Sequence, residues 1–262
     1  YVNVNKEKTN SVLGEENKLI YGIPEITDIL CGMRFKISPH SFYQVNPYMT
    51  ERLYNKALEF AGITENDTVL DVYCGIGTIS LAAAKAAKRV IGIEIVNQAV
   101  EEARKNAENN GIKNAVFYAE SAENAVPKLI ENGMRPDIAI LDPPRKGSDA
   151  KTLSAIVSAE PKRIVYVSCN VSTLARDAAF LAEQGYYPIK CAGADMFPHT
   201  CHVETVALLS KLNTKQHIEV KLNMDELDLT SAESKATYEE IKAYVLEHTG
   251  LKVSHLNIAQ TK

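Results

Sequence analysis

The sequence predicts an α/β fold, a doubly wound and mostly parallel sheet of seven strands, and three observations lead to it. The stretch Thr68 to Ser80, TVLDVYCGIGTIS, reads as a buried strand, a glycine turn and a helix: Val69, Leu70 and Val72 form the apolar run, and Gly75 and Gly77 allow the turn. Strand, helix and strand then recur along the chain, the pattern of parallel pairing through right-handed crossovers. Three of the apolar strands also run into residues with chemical function, Glu94, Asp142 and Cys169. Ligands of doubly wound sheets bind at that carboxyl edge.

Composition sets the bounds. The 262 residues suffice for at least one full core, and no apolar run is long enough to span a membrane, so a soluble, cytoplasmic protein is expected. The five cysteines, Cys31, Cys74, Cys169, Cys191 and Cys201, are odd in number and lack metal-ligand spacing. They argue against a disulfide framework and fit a reducing compartment. A net charge of -4 counts mildly against nucleic-acid binding, which usually leaves a basic footprint. The chain starts at Tyr1 without an initiating methionine, as an excised piece would, and a further domain is expected to supply such a surface.

Residues 1–37 hold short alternating segments, Tyr1 to Asn5 and Lys18 to Ile23, broken by Gly14, Gly22 and Gly32, and read as β-hairpins too few to stand alone. Ser38 to Pro47 is a loop, and Tyr48 to Ala61 is an amphipathic helix with Leu53, Ala57, Leu58 and Phe60 at apolar positions. Phe42, Tyr43 and Gln44 fit two readings: a loop packed onto that helix, or ligand contacts. A glutamine amide both donates and accepts, and a phenyl ring stacks on a base.

In the glycine turn, Gly75 and Gly77 let a ligand approach the main chain, and the helix over Thr78 to Lys85 offers unpaired N–H groups at its start. Glu94 ends the next strand, Val90 to Ile93, where a carboxylate takes both hydroxyls of a ribose. Gly75-x-Gly77-x-x-Ser80 only approximates the dinucleotide fingerprint, so a nicotinamide-binding enzyme is the rival reading. With Asp71 before the glycines, the pattern resembles the S-adenosylmethionine (SAM) loop of class I methyltransferases.

Asn97 to Asn110 is a helix ended by Gly111, and Val116 to Ala119 returns to the sheet. After it, Ser121 is either an ordinary helix cap or, as is usual in class I methyltransferases, an adenine contact. Strand Ile138 to Leu141 delivers Asp142-Pro143-Pro144-Arg145, and the two prolines stiffen the turn. Enzymes that methylate exocyclic amino groups carry an aromatic residue where Arg145 stands, which disfavours that chemistry and leaves a carbon target.

Methylation at C5 of a pyrimidine needs a nucleophile at C6, because C5 is too electron-poor to attack the methyl group unaided. The fifth strand, Arg163 to Ser168, ends at Cys169. That cysteine is either a small core residue or a thiol whose pKa is lowered by donors at Asn170 and at the helix beginning near Ser172. Ile189 to Asp195 and Val203 to Ser210 read as strands six and seven, with a turn at Pro198 between them. Glu204 begins the last strand, where a carboxylate can withdraw the C5 proton; His199 and His202 compete for that role.

Taken in order, SFYQVN, DVYCGIGTIS, LDPPRKG, YVSCN and FPHTCHVET resemble the RNA uracil-C5 methyltransferases that modify ribosomal or transfer RNA, over about residues 35–211. The resemblance implies the class I methyltransferase fold, with Cys169 as nucleophile, Glu204 as base, and Gln44, Tyr73, Glu94 and Asp142 around SAM. Gln44 suits the amino-acid end of that cofactor. Gly75 lends its main chain, and Phe42 and Arg145 face the RNA base or its charge. Thr78 and Ser121 stand where some relatives have asparagine.

The expected organisation is the end of an RNA-facing β domain at 1–37, a methyltransferase domain at 38–211 and an appended helical module at 212–262, with a helix over Ser231 to His248. That helix either aids RNA or partner binding or rests solvated on the core. Some relatives hold an iron-sulfur cluster on four cysteines, but only Cys31 lies in the corresponding region, so none is expected here. A monomer acting on RNA is expected, with 23S ribosomal RNA ahead of transfer RNA. The rivals are a SAM- or RNA-binding protein without turnover and a SAM-dependent amino-methylating enzyme.

Overall fold

The computed structural model describes residues 1–6, 14, 16–200 and 203–211. His202, Cys201 and the expected C-terminal module lie outside them. Two small antiparallel pairs come first: β1 (Val2–Val4) with β2 (Glu16–Lys18), and β3 (Ile26–Leu30) with β4 (Met33–Ile37). The second expected segment, Lys18 to Ile23, is therefore displaced. Asn3 donates to Asn17 Oδ1 at 2.8 Å and accepts from Gly14 N at 2.7 Å, which sets the pairing at residues 16–18. Gly22 and Pro24 then break the strand. The β3–β4 turn, Cys31-Gly32, has positive φ at both residues, as a tight hairpin requires.

The helix α1 (Pro47–Ala61) starts with proline at its first position and the Asn46 side chain accepting from Met49 N; Gly62 closes it in the left-handed conformation. Behind it lies a seven-stranded sheet of β5 (Thr68–Val72), β6 (Arg89–Glu94), β7 (Ala115–Ala119), β8 (Ile138–Leu141), β9 (Arg163–Ser168), β10 (Tyr186–Ala194) and β11 (Glu204–Lys211). The spatial order is β10-β11-β9-β8-β5-β6-β7, and β11 alone runs against the rest. The β9–β11 ladder is unbroken from Ser168–Thr205 to Arg163–Ser210, whereas β10 has an irregularity between Pro188 and Lys190. The sixth strand starts three residues earlier than expected, because Tyr186 is buried and donates its hydroxyl to Pro161 O at 2.7 Å.

The crossovers are α2 (Thr78–Ala84), α3 (Asn97–Asn109), α4 (Ala122–Glu131), α5 (Ala150–Ser158) and α6 (Val171–Glu183). Strand alternation divides the core into two faces. Val69, Val165 and Val206 pack with Leu53, Ile79 and Val100 of α1, α2 and α3, while Leu70, Leu141 and Tyr166 pack with Val126, Ile156 and Leu174 of α4, α5 and α6. Both faces of the central strands are buried, hence their continuous apolar runs.

Asn106 of α3 and Asn110, which caps that helix one turn later, tie the β3–β4 hairpin to this body. Asn106 accepts from Lys36 N at 2.9 Å, and Asn110 accepts from Arg34 N at 2.8 Å and donates to Arg34 O at 2.7 Å. Asn106 also donates to Ile76 O in the glycine turn at 3.3 Å, so one buried amide joins hairpin, helix and turn. Within the sheet, Gly92 sits where a Cβ would meet the Phe117 ring at 2.5 Å and Cys74 Sγ at 2.9 Å. Gly92→Ala is accordingly expected to destabilise the fold by about 1–3 kcal/mol through overpacking, read as a lowered Tm. Among the described residues no helix is long and apolar enough to cross a membrane.

Candidate active site

At the carboxyl edge of the sheet, between the ends of β5, β6, β8 and β9 and the start of β11, lies a cavity of about 800 Å³. Phe42, Gln44, Tyr73, Gly75, Thr78, Glu94, Ser121, Asp142, Arg145, Cys169 and Glu204 all line it. His199 does not; it is exposed in the loop before β11, at φ 68°. The loop reaches the cavity instead through Phe197, and Asn46 Nδ2 holds it by donating to Met196 O at 2.9 Å.

On one side the glycine turn forms an open cradle. Tyr73, Gly75 and Gly77 have positive φ, and a Cβ on Gly75 would meet nothing within 4 Å. Two of the turn's own N–H groups, ahead of the helix start, are engaged within the protein. Gly75 N donates to Glu94 Oε2 at 3.2 Å and Gly77 N to Cys74 O at 2.9 Å, because the turn folds back onto the end of β6. Glu94 also accepts from Val96 N at 2.9 Å, so its carboxylate is oriented by two backbone donors and retains acceptor capacity toward the cavity. Ser121 is the first residue before α4, yet its side chain does not cap that helix; it accepts from Asn124 Nδ2 at 2.9 Å instead. Asp71 lies beneath the turn, wholly buried, and Ser80 donates to it. Burial outweighs the Ser80 bonds and, with the nearby Glu94 charge, pushes its pKa up to about 7.

On the other side the antiparallel ladder makes the key juxtaposition. Thr205 pairs with Ser168, so Glu204 and Cys169 are the next positions beyond the ladder on two adjacent strands. Sequence alone places them 35 residues apart. Cys169 is half-buried and open to the cavity, and Glu204 is 7 % exposed. Burial raises the Glu204 pKa while Arg145 draws it down. Asp142 is pushed up to about 8, first by burial and then by the charges of Glu204 and Asp71.

The expected lowering of the Cys169 pKa is corrected. Burial pushes this thiol up, the Glu204 and Asp142 charges push it further, and Arg145 opposes them. Asn170 does not serve the sulfur as a donor: its oxygen accepts from Ser172 N and Thr173 N as the cap of α6, and its amide donates to Arg145 O at 3.3 Å. The cavity also includes residues that sequence reasoning did not select, notably Tyr54, Lys146 and Phe197. Tyr54 was concealed within the apolar stripe of α1, and Lys146 stood in plain view beside Arg145.

Comparison with known proteins follows the same lines. The family model for tRNA (uracil-5-)-methyltransferases matches residues 25–212. A protein of Enterococcus faecalis, named an uncharacterized RNA methyltransferase, is 50% identical over 209 residues, covering 80% of this chain and 46% of the relative. A Caldanaerobacter subterraneus protein of the same designation is 52% identical over 211 residues, 80% of this chain and 47% of that one. The chain thus spans about half the length of these curated relatives. Among solved structures, the Pyrococcus abyssi tRNA (uracil-54, C5)-methyltransferase in complex with S-adenosyl-L-homocysteine superimposes with a TM-score of 0.65 at 33% identity, covering 79% of this chain and 49% of that one. Given the extent of that match and the strand order beneath it, the chain belongs to the tRNA (uracil-5-)-methyltransferase family.

Proposed function

We propose that the protein transfers a methyl group from SAM to C5 of a uridine in RNA, through a transient bond between Cys169 and C6. The observation that carries this reading is the meeting of Cys169 and Glu204, from the end of β9 and the start of β11, in a cavity that also holds the Gly75 cradle. The cavity's volume falls in the range of cofactor sites, and its open cradle with an oriented Glu94 suits an adenosyl group. In this reading Glu94 takes the ribose hydroxyls, Ser121 lies by the adenine, and Gln44 and Asp142 meet the amino-acid end, with Tyr73, Gly75 and Thr78 completing the wall. When bound, SAM supplies an electrophilic methyl group.

The chain's own residues do the rest. With Phe42 stacked on the extruded base, the Cys169 thiolate adds to C6 and the displaced electron pair makes C5 an enolate carbon. Arg145, whose charge acts on both Cys169 and Glu204, favours the thiolate and the enolate. Once C5 carries the methyl group, Glu204 takes its remaining proton, the C5–C6 double bond re-forms and sulfur departs. Residues 1–37 are then the end of an RNA-facing β domain, 38–211 the methyltransferase domain and 212–262 an appended module of a cytoplasmic monomer.

The test uses the full-length protein, SAM and 23S ribosomal or transfer RNA carrying 5-fluorouridine. Fluorine cannot leave as a proton, so a covalent RNA–protein complex is expected to accumulate through Cys169, and the RNA that yields it identifies the substrate. Methyl transfer without any such complex would refute the covalent route.

A further inference from the structure

The segment after β8, residues 142–149, lines the cavity with Asp142, Arg145 and Lys146, yet it has no regular structure of its own. Its backbone is held from outside. Asp177 of α6, 1% exposed, accepts from Ser148 N at 2.8 Å and from the Tyr166 hydroxyl of β9. Arg176 bonds Asp177 Oδ1 through Nε at 2.7 Å, and its Nη2 donates to Lys146 O at 3.0 Å and Ser148 O at 3.1 Å. Thr173 Oγ1 and Asn170 Nδ2 both donate to Arg145 O at 3.3 Å. Gly147 is what allows so close an approach: at φ 76°, its Cβ would meet Arg176 Nη2 at 2.5 Å and Asp177 Oδ2 at 2.6 Å.

We infer that the buried Asp177 and Tyr166, with Arg176 laid over them from the surface, form a clamp that positions the 142–149 segment, and that the clamp sets where Arg145 stands relative to Cys169 and Glu204. These are positioning residues: none of the three lines the cavity. The clamp also reaches the opposite wall, since the Ser148 hydroxyl lies 2.7 Å from the Tyr73 hydroxyl beside the glycine turn. The charges acting on Cys169 are Glu204 from β11 and Arg145 and Asp142 from the clamped segment, with Arg145 alone favouring the thiolate. Lys146 shares the cavity wall. Arg145 is exposed and depends on the clamp for its place, so slackening the clamp lets its guanidinium move away from Cys169 while Glu204, held by the β9–β11 ladder, stays beside the thiol.

The inference rests on the functional reading above, and its experiment separates the two. In the full-length protein, Arg176→Lys, Tyr166→Phe and Asp177→Asn are compared with the parent by pH-dependent iodoacetamide labelling of Cys169, followed by mass spectrometry at that cysteine. Labelling is expected to move to higher pH by about half a unit or more, the sense of weakening a nearby cation. In parallel, kcat is expected to fall about tenfold, as for a misplaced catalytic constellation, with SAM affinity kept within about twofold. A labelling profile identical to the parent's, with the loss confined to Tm, overturns the clamp. Should Asp177→Asn not fold, Tyr166→Phe, which removes one hydroxyl, and Arg176→Lys give the same readouts. Retained methyl transfer in a Cys169 variant would defeat the functional reading, while the labelling profile would still report on the clamp.

Discussion

Replacing Cys169 with alanine is expected to lower methyl transfer by on the order of 10⁴- to 10⁶-fold, the scale reached when a covalent nucleophile is removed. The sulfur is the group in the cavity suited to add to C6, and without it C5 never gains the electron density that methylation needs. SAM binding is expected to persist, because the Gly75 cradle and Glu94 lie on the wall formed by β5 and β6 rather than β9. Labelled-methyl incorporation into RNA and calorimetric titration of SAM measure the two separately. Turnover within about tenfold of the parent would leave amino-methylation, which needs no thiol, as the better reading.

Glu204→Gln is expected to separate addition from release. The amide keeps the shape and fills the same buried position, but it cannot take the C5 proton. Turnover then falls by about 10²- to 10⁴-fold, while the Cys169–RNA adduct accumulates on ordinary uridine. A denaturing gel followed by mass spectrometry shows the adduct and whether the trapped base already carries the methyl group. The carboxylate works only when ionised, and burial raises its pKa against the pull of Arg145. The thiol is likewise raised. Both groups therefore make the parent's rate climb with pH through their titration ranges. A glutamine variant that turns over at the parental rate without an adduct would remove Glu204 from the mechanism.

Much of the fold was legible because its signals are local. Val69, Leu70 and Val72 put apolar side chains on both faces of a buried central strand, and Gly75 and Gly77 mark the turn. The apolar stripe of Leu53, Ala57, Leu58 and Phe60 marks α1, which ends at Ala61 as expected and starts one residue early, at Pro47. The candidate site was legible for a related reason, since strand ends in a parallel sheet converge on one edge and short motifs identify what each end carries. What escaped depends on partners distant in sequence. The Cys169 thiol was expected to be acidified by its neighbours in the chain, but the β9–β11 register brings Glu204 to it, and the turn after β8 brings Asp142. The Asp177 clamp joins residues 146, 148, 166, 176 and 177, none of them more than ordinary helix, strand or loop residues when read singly. At the N-terminus, one side chain, Asn3, selected a pairing that alternation alone placed a few residues later.

The irregularity at Pro188–Lys190 falls on β10, the outermost strand, while the ladder between β9 and β11 continues without interruption. Slippage by a single residue along that inner ladder would turn Glu204 to the opposite side of the sheet. The outer strand thus serves as an expansion joint: a residue gained or lost there alters the flank of the molecule, while the spacing of acid and sulfur, fixed by the inner ladder, stays unchanged.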